Sequence, residues 1–343
     1  MALNIDGFQI NEIIFENERT LIHRGTRVAD NVPVVIKLSS APYPTHFDLA
    51  RLKHEYEVLS KLDVQGVSKA YSLEKHHNGL ALILESFDGR PLTEAITSNK
   101  IDFVTFLDFA VRMAAIIGNI HERSIIHKDL NPRNFLLNDA TGEFRLIDFG
   151  LASFLQRQEQ EAINPGLLEG SLPYMSPEQT GRMNRGIDYR TDYYSLGITF
   201  HETLTGKHPF QADDAIGWVH CHIAKPPPSI RALRPDIPTA LENIILKLMS
   251  KKAEDRYNSI PGLIWDLEKC REQLARNGIV ENFALGICDV SGKFQIPQKL
   301  YGRAAETRIL EDCFSRIAAG GAETLMVAGY SGIGKSALVN EIH

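Results

Sequence analysis

The chain lacks the cysteine pairing of a disulfide scaffold or a structural zinc site. Its four cysteines, Cys221, Cys270, Cys288 and Cys313, stand apart with no C-x-x-C spacing, which points to reduced thiols. The stretch His220-Cys221-His222 has no second ligand pair at a useful distance, and neighbouring helical residues face different ways, so it does not read as a metal site. Excess positive charge is missing too. A net charge of −6 over 343 residues gives no electrostatic reason to expect a nucleic-acid partner. No apolar run approaches the roughly 18–20 residues of a membrane span. The start, MALNIDGFQI, has neither the basic n-region nor the apolar core of a secretion signal. No membrane span and a cytoplasmic location are therefore expected. With 43% hydrophobic and 23% charged residues, what remains is ordinary globular chain, long enough for two domains.

Strands come first. Residues 7–38 read as strands separated by polar turns, with VPVVIKL (32–38) following the turn-like Ala29-Asp30-Asn31. A helix is expected over 46–62, where Leu52, Tyr56 and Leu59 recur at helical spacing, and a short apolar strand over 79–87. From Ile101 to His121 the apolar positions follow the i, i+3, i+4 rule of a long amphipathic helix. SIIHKDL and EFRLIDF read as short strands flanking a loop, and the pattern from about Tyr189 to Leu274 is mostly helical. Residues 275–299 mix Gly, Pro and polar residues and read as a linker. A helix near 305–317 and a strand at TLMVA (324–328) then lead into GYSGIGKS (329–336).

The middle of the chain holds polar residues where apolar strands should not carry them. In IIHKDLNPRNFLL (125–137) an Asp and an Asn stand five residues apart, and LIDFG (146–150) follows with a second Asp. Phosphoryl transfer accounts for this spacing. One carboxylate, Asp129, would orient the attacking hydroxyl and accept its proton, while Asp148 and Asn134 would hold the Mg2+ that bridges the phosphates of ATP. Lys37, ending VVIK, would neutralise the α- and β-phosphates. A flexible ammonium needs a carboxylate to fix it, and Glu55 on the following helix has suitable spacing. Leu59, one turn on, would pack toward Phe149.

From about Phe8 to Leu274 the chain resembles the eukaryotic-type (bacterial Ser/Thr) protein kinases: VVIK for V-A-I-K, HKDLNPRN for H-R-D-x-x-x-x-N, DFG, and SPE (176–178) for A-P-E. TDYYSLG (191–197) and AEDRY (253–257) add two further ordered matches. The resemblance implies an α+β, two-lobed fold over 7–275 and ATP-dependent transfer to a serine or threonine of a protein substrate. It implies that His127, Phe149 and Gly150 are structural, that Asp192 organises the catalytic loop, and that Arg256 pairs with Glu178. Adenine would lie between Ile14, Ile22 and Val35 on one side and Leu136 on the other, with Leu84 as gatekeeper and the backbone of Glu85 and Phe87 supplying hydrogen bonds. Small-molecule kinases share the H-x-D-x-x-x-x-N loop but not the segment from DFG to SPE.

The chain departs from that family in three places. The glycine-rich loop falls on FENERTLI (15–22), which has no glycine: Phe15, Asn17 and Thr20 take its three positions. Asn17 is expected to stand in because Asn tolerates positive φ. Lys128 replaces the arginine of H-R-D and could act only as a point charge toward a phosphorylated loop. Asn131 replaces a lysine that lies near the γ-phosphate, while Pro132 and Ser171 keep the Ser/Thr pattern. The alternative to an active enzyme is a pseudokinase serving as a nucleotide- or partner-binding platform.

GYSGIGKS has the form G-x-x-x-x-G-K-S between an expected strand and helix, a phosphate-binding loop. Gly329 and Gly334 would shape it, Lys335 would reach the β/γ-phosphates and Ser336 would sit on magnesium. With YGRAAE (301–306) it resembles the start of the AAA-like ATPase that follows an N-terminal kinase in large bacterial signalling proteins, often ahead of sensor and histidine-kinase modules. The organisation expected is a kinase domain over 7–275, a linker over 276–299 and, over 300–343, the incomplete start of a P-loop α/β ATPase, the chain being an N-terminal fragment of a longer signalling protein.

Overall fold

The computed structural model describes residues 5–77, 79–98, 101–155, 169–183, 185–290, 303–318, 320–330 and 335–340. Its small lobe is a five-stranded antiparallel sheet in the order β1-β2-β3-β5-β4, formed by β1 (Phe8–Glu16), β2 (Thr20–Arg27), β3 (Val32–Ser39), β4 (Ala70–His76) and β5 (Gly79–Glu85). Period-2 alternation in β3 divides its side chains between two faces. Val34, Ile36 and Leu38 join Ala81 and Ile83 in a small core on one face. Val35 and Lys37 look the other way. The register pairs Ile22 with Lys37 and Val35 with Leu84, so Ile22, Val35, Lys37 and Leu84 share the face toward the cleft. A slip of one residue would send Lys37 into the apolar core. Strand β4 was not legible in the sequence because, as a sheet edge, it carries Glu74, Lys75 and His76 without penalty.

Helix α1 (His46–Leu59) starts at a reciprocal capping box between Thr45 and Asp48. It ends at Leu59 rather than at the expected Leu62. Its inward stripe includes Leu52, Glu55, Val58 and Leu59, so one carboxylate is buried among apolar residues.

The large lobe begins with β6 (Arg90–Pro91) and α2 (Leu92–Ser98), and its central helix is α3 (Phe103–Glu122), capped by Asp102. The apolar stripe of α3 is the one the periodicity marks: Phe106, Leu107, Ala110, Met113, Ala114, Ile117 and Ile120 are all buried. By length and mean hydropathy α3 is long and apolar enough to cross a bilayer, which corrects the reading that no run comes close. Here it lies within the lobe core, with Arg112 on its exposed side donating to Gly142 O. The strands expected around the loop are shorter than expected. β7 (Ile125–Ile126) pairs with β10 (Ser153–Phe154), and β8 (Phe135–Leu137) pairs with β6 and with β9 (Phe144–Leu146). Helix α4 (Arg190–Thr205) is buried nearly all round, as befits the middle of a lobe. Helices α5 (Ala215–Ile223), α6 (Thr239–Leu248) and α7 (Ile260–Asn277) complete the lobe.

Two expectations about the last part of the chain change. Residues 279–290, within the expected linker, are docked on the large lobe: Val280, Phe283 and Leu285 pack against its core, and the Asp289 carboxylate accepts hydrogen bonds from the backbone N–H groups of Asn258 and Ser259. Missing periodicity marked irregular chain, but irregular chain can still be packed. Residues 291–299 of that linker lie outside the described residues, as do 300–302. The strand expected at 324–328 does not form, and residues 321–330 carry no regular structure. A strand needs a ladder for its N–H and C=O groups, and among the described residues nothing pairs with this one. Helices α8 (Ala304–Ala318) and α9 (Lys335–Asn340) flank it.

Candidate active site

The cleft between the lobes gathers residues from distant parts of the chain. Strand β3 presents Lys37, whose Nζ donates to Glu55 Oε2 on α1 at 2.7 Å and to Asp148 Oδ1 at 2.9 Å. Burial opposes the ammonium charge, but Asp148 and then Glu55 outweigh it and raise the Lys37 pKa. The Asp148 carboxyl is held well below the usual range: burial works against its charge, and Lys37 and then Arg51 overcome it.

Asp129 lies in the loop after β7, and Asp192 at the first turn of α4 clamps that loop. Its carboxylate accepts from the backbone N–H groups of His127 and Lys128, both at 2.9 Å, and partners His121 Nε2 at 2.7 Å. Lys128 has φ 67° and Asp148 has φ 64°, left-handed conformations that cost a non-glycine residue roughly 1–3 kcal/mol each. The clamp and the Lys37 ion pair hold these two positions in place. His127 packs edge-on against Phe149, with ring centroids 4.8 Å apart, and Phe149 is fully buried in the same core as Leu59. Asp129 Oδ1 accepts from Ser171 N at 2.8 Å, while Asn134 and Asn131 both donate to the Asp129 carbonyl. Asn131 also reaches Ser171 Oγ.

Behind the site, Arg256 and Glu178 form a fully buried pair at 2.7 and 2.9 Å. All five guanidinium donors can be accounted for, because Arg256 also binds the carbonyls of Ser250, Arg190 and Lys251.

The structure corrects the reasoning for Asn17. Among the described residues it is not one of the non-glycine positions with positive φ. Instead its side-chain Oδ1 accepts from the backbone N–H groups of Arg19 at 2.9 Å and Thr20 at 2.7 Å, an Asx turn that closes the β1–β2 hairpin without glycine. Ile14 falls at an irregularity between the pairs Ile13–His23 and Phe15–Ile22 and is largely exposed, whereas Leu136 is half-buried in β8. The N–H of Glu85 already donates to Lys69 O, and Phe87 O accepts from Gly89 N.

Arg51 is the residue that sequence reasoning missed. It stands one helical turn before Glu55, and its Nη2 lies 3.8 Å from Asp148 Oδ1. The signal was available, since i and i+4 on a helix share a face.

At the other end of the chain, Lys335 Nζ donates to the carbonyls of Gly329 and Tyr330 at 2.8 and 2.9 Å. Gly334 lies outside the described residues, and so does the side chain of Ser336.

Residues 18–263 match the family model for the protein kinase domain, and residues 299–343 match that for an AAA ATPase domain. The chain is 30% identical to hybrid signal transduction histidine kinase G of Dictyostelium discoideum, an alignment covering 70% of this chain and 10% of that protein. It is 28% identical to serine/threonine-protein kinase Pkn1 of Myxococcus xanthus, over 70% of this chain and 34% of the relative. With serine/threonine-protein kinase PrkC of Bacillus subtilis the identity is 30%, over 68% of this chain and 36% of the relative. The chain thus spans between a tenth and about a third of the length of these curated relatives.

Proposed function

The chain belongs to the protein kinase family, and from that premise we propose that it transfers the γ-phosphoryl group of ATP to serine or threonine hydroxyls of a protein substrate. The observation that carries the reading is the joining of Lys37, Glu55 and Asp148, from three separate elements, in one buried chain of ion pairs. In this reading Lys37 neutralises the α- and β-phosphates and Glu55 holds it in place. Asp129 orients the substrate hydroxyl and takes up its proton. Ile22, Val35 and Leu84, on the same sheet face as Lys37, would cover adenine with Ile14 and Leu136. Because the N–H of Glu85 is engaged, Glu85 could offer adenine only its carbonyl, and Phe87 could offer its N–H.

The donor set fits magnesium. Asn134 uses its Nδ2 on the Asp129 carbonyl, which leaves its Oδ1 as a hard oxygen donor, and Asp148 has a second carboxylate oxygen beyond the one Lys37 binds. Among the described residues no cluster of three or more His, Cys, Asp or Glu could hold a metal by itself. The ion would complete its shell with phosphate oxygens and water, as Mg2+ commonly does. Once bound, it supplies neutralisation of the phosphate charge.

One observation favours a second reading, a nucleotide-binding pseudokinase: Asn17 occupies the N–H groups of Arg19 and Thr20, donors that a covering loop would otherwise turn toward phosphate. Magnesium-dependent transfer of labelled γ-phosphate to a generic protein acceptor decides between the two. Transfer above the level of Asp129→Asn supports the enzyme, whereas nucleotide binding without transfer supports the platform. Replacing Asn17 and Thr20 by glycine should free those donors and tighten ATP binding by about tenfold, the worth of one hydrogen bond to a charged group. Calorimetry checks this. Unchanged or weaker affinity would mean that the loop does not close on phosphate.

The base should leave a mark on the pH profile. Burial raises the Asp129 carboxyl; Ser171 opposes this, and the Asp148 charge adds to it. Since only the ionised form can accept a proton, kcat should decline as the pH falls through a value above the ordinary Asp pKa of about 3.9. A rate that holds steady down to that ordinary value would rule Asp129 out as the titrating group.

We also propose that this cytoplasmic kinase domain precedes an ATPase domain starting near residue 300, followed by further signalling modules in the natural chain. The match over 299–343 supports that order. Residues 279–290, given their packing, would then belong to the kinase lobe, and the linker would be shorter than 276–299.

A further inference from the structure

Arg51 acts on Asp148 through its charge rather than through a hydrogen bond. It sits on α1 one turn from Glu55 and is about three-tenths exposed, and its single ion pair among the described residues is the one at 3.8 Å to Asp148 Oδ1. That distance is too long for a hydrogen bond, so among the described residues the planar fork of donors has no hydrogen-bond partner. The position is nevertheless built. A Cβ at Gly150 would come within 2.6 Å of Arg51 Nε, so glycine there lets the side chain lie against the backbone beside Asp148. Arg51 also lines a small cavity between β3, α1 and the β1–β2 hairpin, together with Thr20, the cations Arg19 and Lys37 and the carboxylates of Asp48 and Glu55.

The local charge balance makes this significant. Lys37 and Arg51 converge on the same Asp148 oxygen, and Glu55 offsets Lys37. If Asp148 instead serves a divalent cation, Arg51 loses its nearest counter-charge, keeps only the weaker influence of Asp48 and Glu55 on its own helix, and faces two further positive charges. Such an arrangement favours an anion arriving with the metal. A guanidinium suits a phosphate group, which it can meet with two parallel hydrogen bonds. On the functional reading above, we infer that Arg51 binds the terminal phosphate of the nucleotide, next to Asp148, in a protein whose residue 131 is an asparagine already engaged with Asp129 and Ser171. It is thus a catalytic residue for phosphoryl transfer, since the group it touches is the one transferred.

The test compares ATP with ADP, which differ by that phosphate. Calorimetric titrations with each nucleotide and magnesium would be run on the wild-type chain and on Arg51→Gln and Arg51→Lys, after thermal melting has confirmed that each is folded. Arg51→Gln should lose tenfold or more in ATP affinity while ADP affinity stays within about twofold, and Arg51→Lys should fall between, keeping charge but not the fork. If Arg51→Gln does not fold, the ATP-selective loss in Arg51→Lys carries the test. Equal losses for both nucleotides would make Arg51 a prop for Asp148 and overturn the assignment, as would no loss for either. A wild-type chain that binds neither nucleotide would bring down the kinase reading itself, and this inference with it.

Discussion

Phosphotransfer by Asp129→Asn and by Lys37→Ala is expected to fall by about a thousandfold or more in each case, because in the proposed function one change removes the proton acceptor and the other the charge that would face the phosphates. The two should fail differently. Asparagine at 129 can still accept from Ser171 N, so nucleotide affinity should survive while turnover is lost. Alanine at 37 leaves Glu55, which is 1% exposed, buried without its counter-charge. Glu55 then takes up a proton rather than unfolding the lobe, and both nucleotide affinity and rate decline. Single-turnover transfer and nucleotide titration on the two variants separate these effects. Activity within a few-fold of wild type in either one would sink the mechanism.

Arg256→Ala should be among the most damaging single changes to stability. The pair with Glu178 is fully buried, and removing one partner of such a pair costs about 3–5 kcal/mol, because the remaining charge has neither water nor counter-ion. Glu178 would keep Thr191 Oγ1 and its own backbone N–H as donors, while the carbonyls of Ser250, Arg190 and Lys251 would lose their bonds from Arg256. Chemical denaturation at neutral pH should show a lower midpoint. Because burial of Glu178 is outweighed by Arg256, its carboxyl is lowered in the folded state. Its contribution is therefore present above the ordinary Glu pKa of about 4.3 and lost as pH falls through the depressed value. The gap between wild type and Arg256→Ala should narrow in acid. A variant that melts like the wild type would show that packing alone holds this segment.

Residue spacing pointed to this cleft because the proposed phosphate chemistry needs particular residue types at particular separations. The ordered motifs identified Lys37, Asp129, Asn134 and Asp148, and the 3.6-residue stripe of α3 gave its buried face. What escaped notice obeyed weaker rules. Strand β4 is a polar edge with no alternation to betray it. The docking of Phe283 rests on a few apolar contacts and on the Lys269 ammonium over its ring, neither of which is periodic. At Asn17 the expected positive φ gave way to a side-chain turn, which a reading of backbone torsion alone does not reveal. TLMVA was read as a strand from its composition, although composition cannot supply hydrogen-bonding neighbours.

The grip of Asp289 on Asn258 and Ser259 fixes more than a loop. Arg256, Tyr257, Asn258 and Ser259 are consecutive, and Tyr257 donates to Asp266, which in turn accepts from Gly286 N. The exit of the kinase lobe is therefore pinned two residues away from the arginine that holds Glu178, and Glu178 belongs to the segment that also carries Ser171 beside Asp129. Two backbone hydrogen bonds accepted by one carboxylate therefore set where the chain leaves this lobe, and they set it on the same short stretch of backbone that carries Arg256.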